Sequence, residues 1–213
     1  MTDFAKARAQ MVERQIAARG IDDPLLLDAM RTVPREAFVA LEMRALAYRD
    51  SPLPIEAGQT ISQPYIVAHM IAAADIGRGD HVLEIGAGSG YAAAVIGQIA
   101  ARVDAVERHE ALAALASTRM AELGYDNIAV HHGDGAQGWP EGAPYDAILV
   151  SARSDRLPDA LKGQLAPGGR IVIPVGGDAV QRLKRYTLRN DGTLSETDLA
   201  AVRFVPLVAG GED

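Results

Sequence analysis

Cysteine is absent from the 213-residue sequence, and so is any long apolar run. Without cysteine the chain can form neither disulfide bonds nor zinc–thiolate sites, and it has no thiol nucleophile, although its redox compartment stays open. No apolar run is long enough for a membrane span, and the first residues, MTDFAKAR, lack the apolar core of a signal peptide. These absences predict a cytoplasmic protein that does not cross a membrane.

Clusters of basic residues are also missing. The formal net charge is −7, with 21 Lys and Arg residues against 28 Asp and Glu residues, and the basic residues nowhere gather into a phosphate-binding stripe. Proteins that bind nucleic acid usually carry such a stripe. We therefore expect no nucleic acid among the partners of this protein.

The composition that is present, 48% hydrophobic and 23% charged residues, is typical of a soluble globular protein. A chain of this length fits one domain with one core. In the first fifty residues, Gly20 is expected to end one helix, and Asp22-Asp-Pro24 looks like a cap with proline at the first position of the next. Pro34 interrupts that pattern, and helix is expected again over 36–46. We predict a single domain, with a helical N-terminal extension over 1–60 and a Rossmann-like core over 61–213.

Strand-like and helix-like runs alternate from the middle of the chain to residue 175. The apolar, strand-like runs cover 81–86, 102–107, 127–132, 145–150 and 170–175, and the helix-like runs cover 91–100, 109–124 and 158–165. Such alternation implies right-handed crossovers and a parallel sheet. Strands that are apolar almost throughout fit a sheet that is covered on both faces. The predicted fold is therefore α/β and doubly wound.

Beyond residue 175 the helical pattern stops. Residues 182–189 alternate like a strand, Asn190-Asp191-Gly192 is a strong turn signal, and 202–208 is a second strand-like run. These runs predict a hairpin-like pair that finishes the sheet with an antiparallel edge. Together with the five earlier runs, they predict a mostly parallel sheet of seven strands.

A glycine-rich loop, Glu84-Ile-Gly86-Ala-Gly88-Ser-Gly90, follows the first of these strands and opens a helix. Glycines allow a tight turn and a close ligand, and the N–H groups at a helix N-terminus are unpaired. The glycine spacing differs from that of dinucleotide-binding loops and of phosphate loops, and no lysine follows Gly90. The loop therefore predicts a bound ligand other than a nucleoside triphosphate.

Two acidic residues stand at the ends of the next two strands. Glu107 closes the second strand, where a carboxylate can accept both ribose hydroxyls, and Asp134 closes the third, where it could receive an adenine amino group. Each of them alone is more often a cap or a solvated turn residue. Glu84 favours a cationic ligand over a pyrophosphate. Together the three acids predict S-adenosylmethionine, which has an adenosine, a positive sulfur and no phosphate.

The polar segment Gly58-Gln-Thr-Ile-Ser-Gln-Pro64 precedes the glycine loop by about twenty residues. Two explanations of it are open on local grounds. Ser62 could open the helix that follows as an N-cap, with Pro64 at the first helical positions. Alternatively, the segment belongs to a site that it forms together with the glycine loop.

The histidines do not predict a metal site. His131 and His132 are adjacent on a predicted strand, and neighbouring side chains of a strand point to opposite faces, so the pair is poorly placed to chelate one ion. His69 lies on an apolar helix and is interpreted as a packed or capping residue. No metal is therefore predicted.

Over nearly its whole length the sequence resembles the protein-L-isoaspartate O-methyltransferases. The most selective matching motifs are Gln59-Thr-Ile-Ser62 and Gly133-Asp-Gly-Ala-Gln-Gly-Trp-Pro140, whereas the glycine loop is shared by methyltransferases in general. Other matching stretches include Val33-Pro-Arg-Glu36, Pro52-Leu-Pro-Ile55 and Phe204-Val-Pro-Leu207. The resemblance implies the fold of the class I S-adenosylmethionine-dependent methyltransferases.

The resemblance also implies which residues form the site. Ser62 would be the catalytic residue, and it would orient the acceptor carboxylate without acting as a nucleophile. The implied cofactor-binding residues are Gln59, Thr60, Ile61, Glu84, Gly86, Gly88, Ser89, Gly90, Glu107, Asp134 and Gly135. Glu56 and Arg153 depart from the pattern of many members, and both would add charge near the expected acceptor pocket.

The activity that the resemblance implies is methyl esterification of the free α-carboxylate of L-isoaspartyl residues in damaged proteins and peptides, with S-adenosyl-L-homocysteine as product. The ester would then cyclise to a succinimide, whose hydrolysis restores some normal aspartate, so the implied role is protein repair. Three alternatives stay open. They are a carboxyl methyltransferase specialised on another peptide or small-molecule carboxylate, a nicotinamide-dependent dehydrogenase, and a cofactor-binding module without catalysis.

Overall fold

A seven-stranded sheet forms the centre of the computed structural model, which describes residues 3–208 and 210. The strands are β1 (Leu53–Pro54), β2 (Thr60–Ile61), β3 (His81–Ile85), β4 (Arg102–Glu107), β5 (Ile128–His132), β6 (Tyr145–Val150), β7 (Leu165–Gly176), β8 (Gln181–Leu188) and β9 (Leu194–Val202). The first two pair with each other in a small antiparallel sheet. The other seven form the central sheet in the order β5-β4-β3-β6-β7-β8-β9.

Strands β3 to β7 of the central sheet are parallel, and β8 and β9 add an antiparallel edge. This arrangement confirms the predicted mostly parallel, seven-stranded sheet. The chain winds outward from β3 through β4 to β5, and it then returns to the other side of β3 with β6. Ligands of open α/β sheets bind where the winding reverses, at the carboxyl ends of the strands. Here that point lies between β3 and β6.

Helices cover both faces of the sheet. They are α1 (Phe4–Met11), α2 (Pro24–Thr32), α3 (Pro64–Ala74), α4 (Tyr91–Gly97), α5 (Glu110–Leu123) and α6 (Asp159–Lys162). Val82 and Ala105 pack on one face with α3, α4 and the N-terminal helices, and Leu83 and Val106 pack on the other with α6 and Trp139. Burial on both faces explains why these strands are apolar almost throughout. No helix in the described part of the chain has the length and apolarity to span a bilayer.

The local signals predicted near the N-terminus are confirmed. Helix α1 continues through a π-helical turn and a 3-10 turn, and the chain leaves the helix at Gly20, which has a φ of 89°. The Asp23 carboxylate accepts the Leu25 N–H at 2.9 Å, so it caps α2, and Pro24 is the first residue of that helix. Gly20 thus ends the first helix, and the Asp23 cap satisfies a backbone N–H at the start of α2, as the sequence indicated.

The helix predicted over 36–46 is wrong. Two 3-10 turns, Arg35–Phe38 and Leu41–Leu46, take its place. Val39, which is 3% exposed, has extended backbone dihedrals of −129° and 158° between the two turns. A β-branched residue that reaches the core from an extended backbone breaks the helix here, and helical spacing alone does not reveal this tertiary contact.

The position of the last predicted strand is also wrong, because β9 covers Leu194–Val202 and not 202–208. The Gly192 N–H donates to the Arg189 carbonyl at 2.9 Å, and the chain pairs with β8 directly after this turn. Residues 195–198 of β9 are polar because the strand forms the solvent-facing edge of the sheet. Residues 203–208 run on as an extended segment, held by hydrogen bonds of Arg153 with Val205 and Leu207.

Candidate active site

A cavity of about 500 Å³ opens at the carboxyl end of β3. Its walls come from five stretches of the chain, which are 58–62, 84–89, 106–109, 151–152 and 205–208, together with Val67 of α3, Gly135 and part of α4. Ligand sites commonly have volumes of about 300–1,000 Å³. The cavity therefore has the size and the place in the sheet that a small-molecule site needs.

The glycine loop forms the floor of this cavity. Gly86, Gly88 and Gly90 have φ values of 82°, 54° and 88°, which other residues rarely adopt. The Gly86 N–H donates to the Val106 carbonyl at 2.8 Å, which fixes the loop to the end of β4. Gly90 does not line the cavity, and a Cβ on it would come within 2.7 Å of the Met120 methyl group. Gly90 thus serves the packing of the loop against α5.

Glu107 holds the glycine loop and lines the cavity at the same time. Its side chain is largely buried, with one carboxylate oxygen accepting the Gly88 N–H at 2.8 Å and the other accepting the His109 N–H at 2.9 Å. Each carboxylate oxygen has two lone pairs, so one on each remains for a ligand. The predicted ribose acceptor is therefore placed at the cavity and held in position by two backbone donors.

Glu84 is the least satisfied carboxylate of the site. The residue is 1% exposed and lines the cavity, and its Oε2 atom has no hydrogen-bond partner among the described residues. Burial, with a smaller effect from the charge of Glu107, raises the pKa of Glu84 to about 8. A buried carboxylate oxygen without a partner is costly, and a cation or a donor from a ligand would relieve that cost. This wall therefore suits a positively charged ligand.

The polar segment from Gly58 to Ser62 forms the opposite wall. Gln59, Thr60 and Ile61 line the cavity, and the Ile55 N–H donates to the Gln59 carbonyl at 2.9 Å across the β1–β2 hairpin. Gln59 Nε2 lies 3.4 Å from His109 Nε2, which links the hairpin to the start of α5. The sheet and the hairpin therefore enclose the cavity from two sides.

Ser62 lines the cavity and does not cap α3. The N-cap position of this helix is Gln63, and no side chain caps it. The Ser62 hydroxyl forms no hydrogen bond with any described residue, whereas its carbonyl accepts a bond of 2.8 Å from Arg35. Of the two explanations for the polar segment, the geometry favours a site shared with the glycine loop.

Asp134 lies beside the cavity but does not line it. Its carboxylate accepts the Ala136 N–H at 2.9 Å and the Gly210 N–H at 3.0 Å, so it caps a 3-10 turn and holds the C-terminal segment. The next residue, Gly135, does line the cavity, and a Cβ there would approach Ile85 to 2.4 Å. Gly135 therefore lines the cavity itself, whereas Asp134 affects the cavity only by shaping the loop that carries Gly135.

Some residues that line the cavity are not among the predicted site residues. Ser151 and Ala152 follow β6, and residues 205–208 come from the far end of the chain to close the cavity. The position of Ser151 follows once β6 is known to lie next to β3, since the carboxyl ends of neighbouring parallel strands meet at one edge. Residues 205–208 carry no such signal, because their placement depends on pairing with Arg153.

The two charged residues that depart from the family pattern have partners outside the cavity. Glu56 forms an ion pair with Arg119 of α5 at 3.4 Å, and Arg153 pairs with Asp155 and Asp178. Neither Glu56 nor Arg153 is among the residues that line the cavity. Their charges are therefore at least partly balanced by other residues of the same chain.

Comparison with known proteins adds a family to this geometry. A family profile described as protein-L-isoaspartate(D-aspartate) O-methyltransferase matches residues 6–212. A protein-L-isoaspartate O-methyltransferase from Rhodopseudomonas palustris (strain HaA2) is 59% identical over 97% of this chain and 85% of its own length. One from Brucella anthropi is 54% identical over 98% of this chain and 96% of its own.

A similar solved structure carries a ligand related to the predicted cofactor. It is a protein from Plasmodium falciparum, described as a protein-L-isoaspartate O-methyltransferase and solved in complex with S-adenosyl-L-homocysteine. The two structures have a TM-score of 0.81 and 26% sequence identity, and the match covers 94% of this chain and 98% of the other. A second solved protein-L-isoaspartate O-methyltransferase has a TM-score of 0.86 and 28% identity, over 97% of this chain and 66% of its own.

Proposed function

Since this chain belongs to the protein-L-isoaspartate(D-aspartate) O-methyltransferase family, we propose that it uses S-adenosylmethionine to methylate the free carboxylate of L-isoaspartyl residues in damaged proteins and peptides. The observation that carries the proposal is the one cavity that the glycine loop and the Ser62 segment line together. A cofactor on the loop and an acceptor at Ser62 would then meet inside it. Esterification opens a route through a succinimide back to aspartate, which is protein repair.

The cavity fits the cofactor through two carboxylates that can still accept hydrogen bonds from a ligand. S-adenosylmethionine supplies a methyl group that is activated by a positively charged sulfur. Glu84 offers a free, buried oxygen to a cation, and Glu107 offers its remaining lone pairs to ribose hydroxyls. Gly135, shaped by Asp134, lies at the predicted adenine side. The other proposed contacts are Gln59, Thr60, Ile61, Gly86, Gly88 and Ser89, which all line the cavity.

Ser62 is proposed to orient the acceptor. An isoaspartyl carboxylate is ionised at neutral pH, so no base has to remove a proton before it reacts. The Ser62 hydroxyl is free of other partners and can donate to one carboxylate oxygen, which leaves the second oxygen directed into the cavity. Orientation of this kind, together with exclusion of water by the hairpin, supplies most of the acceleration that such a reaction needs.

A methylation assay on one peptide, made once with an isoaspartyl and once with an aspartyl residue, tests the proposal. We expect turnover of the isoaspartyl peptide only. Ser62→Ala should lower that turnover by about tenfold to a thousandfold, as for the loss of one orienting donor, while the dissociation constant of S-adenosyl-L-homocysteine stays the same. Ser117→Ala on the exposed side of α5 is the matched control and should be fully active. A fully active Ser62→Asp variant would refute the role of Ser62, because a second anion should repel the acceptor carboxylate.

The same assay separates the closest alternative. If the protein acts on another peptide or small-molecule carboxylate, the isoaspartyl peptide will not be methylated although S-adenosyl-L-homocysteine binds and raises the melting temperature. That outcome would keep the cofactor and reject the acceptor.

A further inference from the structure

Arg35 is a fully buried arginine that does not itself line the cavity, and it forms no hydrogen bond with a carboxylate of the described residues. It is 0% exposed, and it donates from Nε to the Ala47 carbonyl and from Nη2 to the Ser62 carbonyl, each at 2.8 Å. Its Nη1 atom is buried without a partner among the described residues. Burying a guanidinium in this way is expensive, and apolar residues of similar volume often replace buried charges without loss of stability. Stability alone is therefore a weak explanation for this arginine.

The bond to Ser62 acts on a stretch of chain that little else holds. Ser62 lies between the end of β2 at Ile61 and the start of α3 at Pro64, outside both elements. The bond from Arg35 is the one hydrogen bond that Ser62 forms with the described residues, through either its backbone or its side chain. Because the carbonyl fixes the plane of the peptide that follows Ser62, it also limits where the Ser62 hydroxyl can point.

The same guanidinium also contacts a residue that lines the proposed cofactor side of the cavity. The Arg35 Cζ atom lies 4.6 Å from the centre of the Tyr91 ring, within the range of a cation–π contact. Tyr91 is the first residue of α4, directly after the glycine loop, and it lines the cavity. One rigid side chain therefore spans from the Ser62 backbone to the helix that the glycine loop opens.

We propose that Arg35 is a positioning residue for methyl transfer, which sets the distance and direction of the Ser62 hydroxyl relative to the glycine loop. The inference rests on the proposed role of Ser62 in binding the acceptor. Arg35 does not line the cavity, so it acts on the reaction through the Ser62 carbonyl and the Tyr91 ring. The planar fork of an arginine can hold two such points at once, whereas a lysine ammonium is a single flexible point.

A double-mutant cycle on Arg35 and Ser62 tests this coupling. Turnover of the isoaspartyl peptide is measured for the wild type, Arg35→Met, Ser62→Ala and the double variant, and S-adenosyl-L-homocysteine binding is titrated for each. We expect Arg35→Met to lower kcat by about a hundredfold, the size of a misplacement of about 1 Å, with the S-adenosyl-L-homocysteine dissociation constant nearly unchanged. In the Ser62→Ala background, Arg35→Met should cost less than about threefold more, because the group that it positions is already gone.

Arg8→Met is the matched control. Arg8 is a partly buried arginine of the N-terminal region that likewise donates to main-chain carbonyls, at Arg31 and Thr32. It forms an ion pair with Glu36 and does not contact Ser62. Its substitution should lower the melting temperature and leave kcat of the folded protein unchanged. A merely structural role for Arg35 predicts that Arg35→Met behaves in the same way.

Arg35→Lys guards against a misfolded methionine variant. It keeps the charge and can bond one carbonyl, so we expect an intermediate kcat and the same lack of additivity with Ser62→Ala. The inference is overturned if the Arg35 and Ser62 effects multiply, or if the folded Arg35 variants keep wild-type kcat. Failure of the proposed function is distinct from either result, because it appears as wild-type protein that does not methylate the isoaspartyl peptide.

Discussion

Two buried carboxylates on neighbouring strands of the sheet have opposite surroundings. Asp104 on β4 is 0% exposed, and its oxygens lie 2.7 Å from His81 Nε2 and 2.8 Å from His131 Nε2. Tyr145 and Arg102 lie slightly further from the same carboxylate. Glu84 on β3 is equally buried, but one of its oxygens has no partner in the described part of the chain.

The pKa values of the two groups shift in opposite directions for this reason. Burial by itself would raise the pKa of Asp104, but the hydrogen bonds from His131 and His81 hold it below its usual value. Burial raises the pKa of Glu84 to about 8, and a hydrogen bond with the Ala93 backbone offsets this rise only in part. A fold satisfies the carboxylates that it uses for itself, and an unsatisfied one at a cavity indicates a ligand. Asp104 therefore belongs to the architecture, whereas Glu84 lines the cavity and is our proposed ligand contact.

The largest effect that we expect tests Asp104. In Asp104→Asn, one histidine or arginine donor meets an amide N–H₂ in place of an oxygen, so the free energy of unfolding should fall by about 3 kcal/mol. Chemical denaturation at neutral pH measures this loss. The S-adenosyl-L-homocysteine affinity of the folded variant should stay at the wild-type value. A variant with normal stability and weak S-adenosyl-L-homocysteine binding would instead show that Asp104 serves the cofactor site and not the stability of the fold.

The sequence was sufficient to predict the sheet but not this contrast. Runs 102–107 and 145–150 match β4 and β6 residue for residue, because strands buried on both faces are apolar and end at turns. In the strand sequence Arg102-Val-Asp-Ala-Val-Glu107, Asp104 looks like an ordinary polar alternation. Its histidine partners come from β3 and β5, and only the register of the sheet brings them together.

The site was predictable where residues follow strand ends and unpredictable where contacts are tertiary. Glu84, Gly86 and Glu107 could be placed because the carboxyl ends of parallel strands share one edge. Arg35 could not, since an arginine is rarely buried and the sequence does not show that its partners are carbonyls of distant residues. The short β1–β2 hairpin was missed as well, because two-residue strands leave no periodic pattern.

Glu107 sharpens the comparison of Asp104 with Glu84, because it is hydrogen-bonded within the protein like Asp104 and lines the cavity like Glu84. Its oxygens accept the Gly88 and His109 N–H groups, as a structural carboxylate would, and it still lines the cavity. We expect Glu107→Ala to weaken S-adenosylmethionine binding by about 2 kcal/mol, since two hydroxyls lose a charged acceptor, and also to lower stability. Calorimetric titration measures the affinity, with Glu110→Ala at the exposed start of α5 as control. Unchanged affinity would make Glu107 a loop anchor only.

Glu84→Gln should affect binding and stability in opposite directions. An acid whose pKa is raised on folding keeps its proton while the unfolded chain releases one, so the stability of the free wild type falls as pH rises from about 4.5 through about 8. Glutamine has no such proton, and Glu84→Gln should melt higher than the wild type at pH above 8 and lose this advantage at low pH. Its S-adenosylmethionine affinity should be about tenfold lower.

Two measurements check the Glu84 prediction. Melting temperatures across this pH range give the stability difference, and titrations above and below pH 8 give the affinity. Wild-type binding of the cation should strengthen as pH rises through the pKa of Glu84, while binding to Glu84→Gln should be nearly independent of pH in this window. A variant that is less stable than the wild type at high pH would show that Glu84 is satisfied in the free protein.

The smallest effect that we expect concerns Glu56, an exposed carboxylate, in contrast to the buried Asp104 and Glu84. Its side chain is 44% exposed and lies 3.4 Å from Arg119, whose second nitrogen donates to the Ser89 carbonyl at 3.3 Å. Solvent screens such a pair, so Glu56→Gln should change the free energy of unfolding by about 0.5 kcal/mol or less, and high salt should remove the difference.

Cofactor affinity should fall at most about twofold, since the ion pair only helps to hold the hairpin against α5. Because the carboxylate faces Arg119 and not the cavity, the KM for isoaspartyl peptide should not change. A large change in KM with unchanged cofactor affinity would instead place Glu56 at the acceptor, where its departure from the family pattern first suggested it.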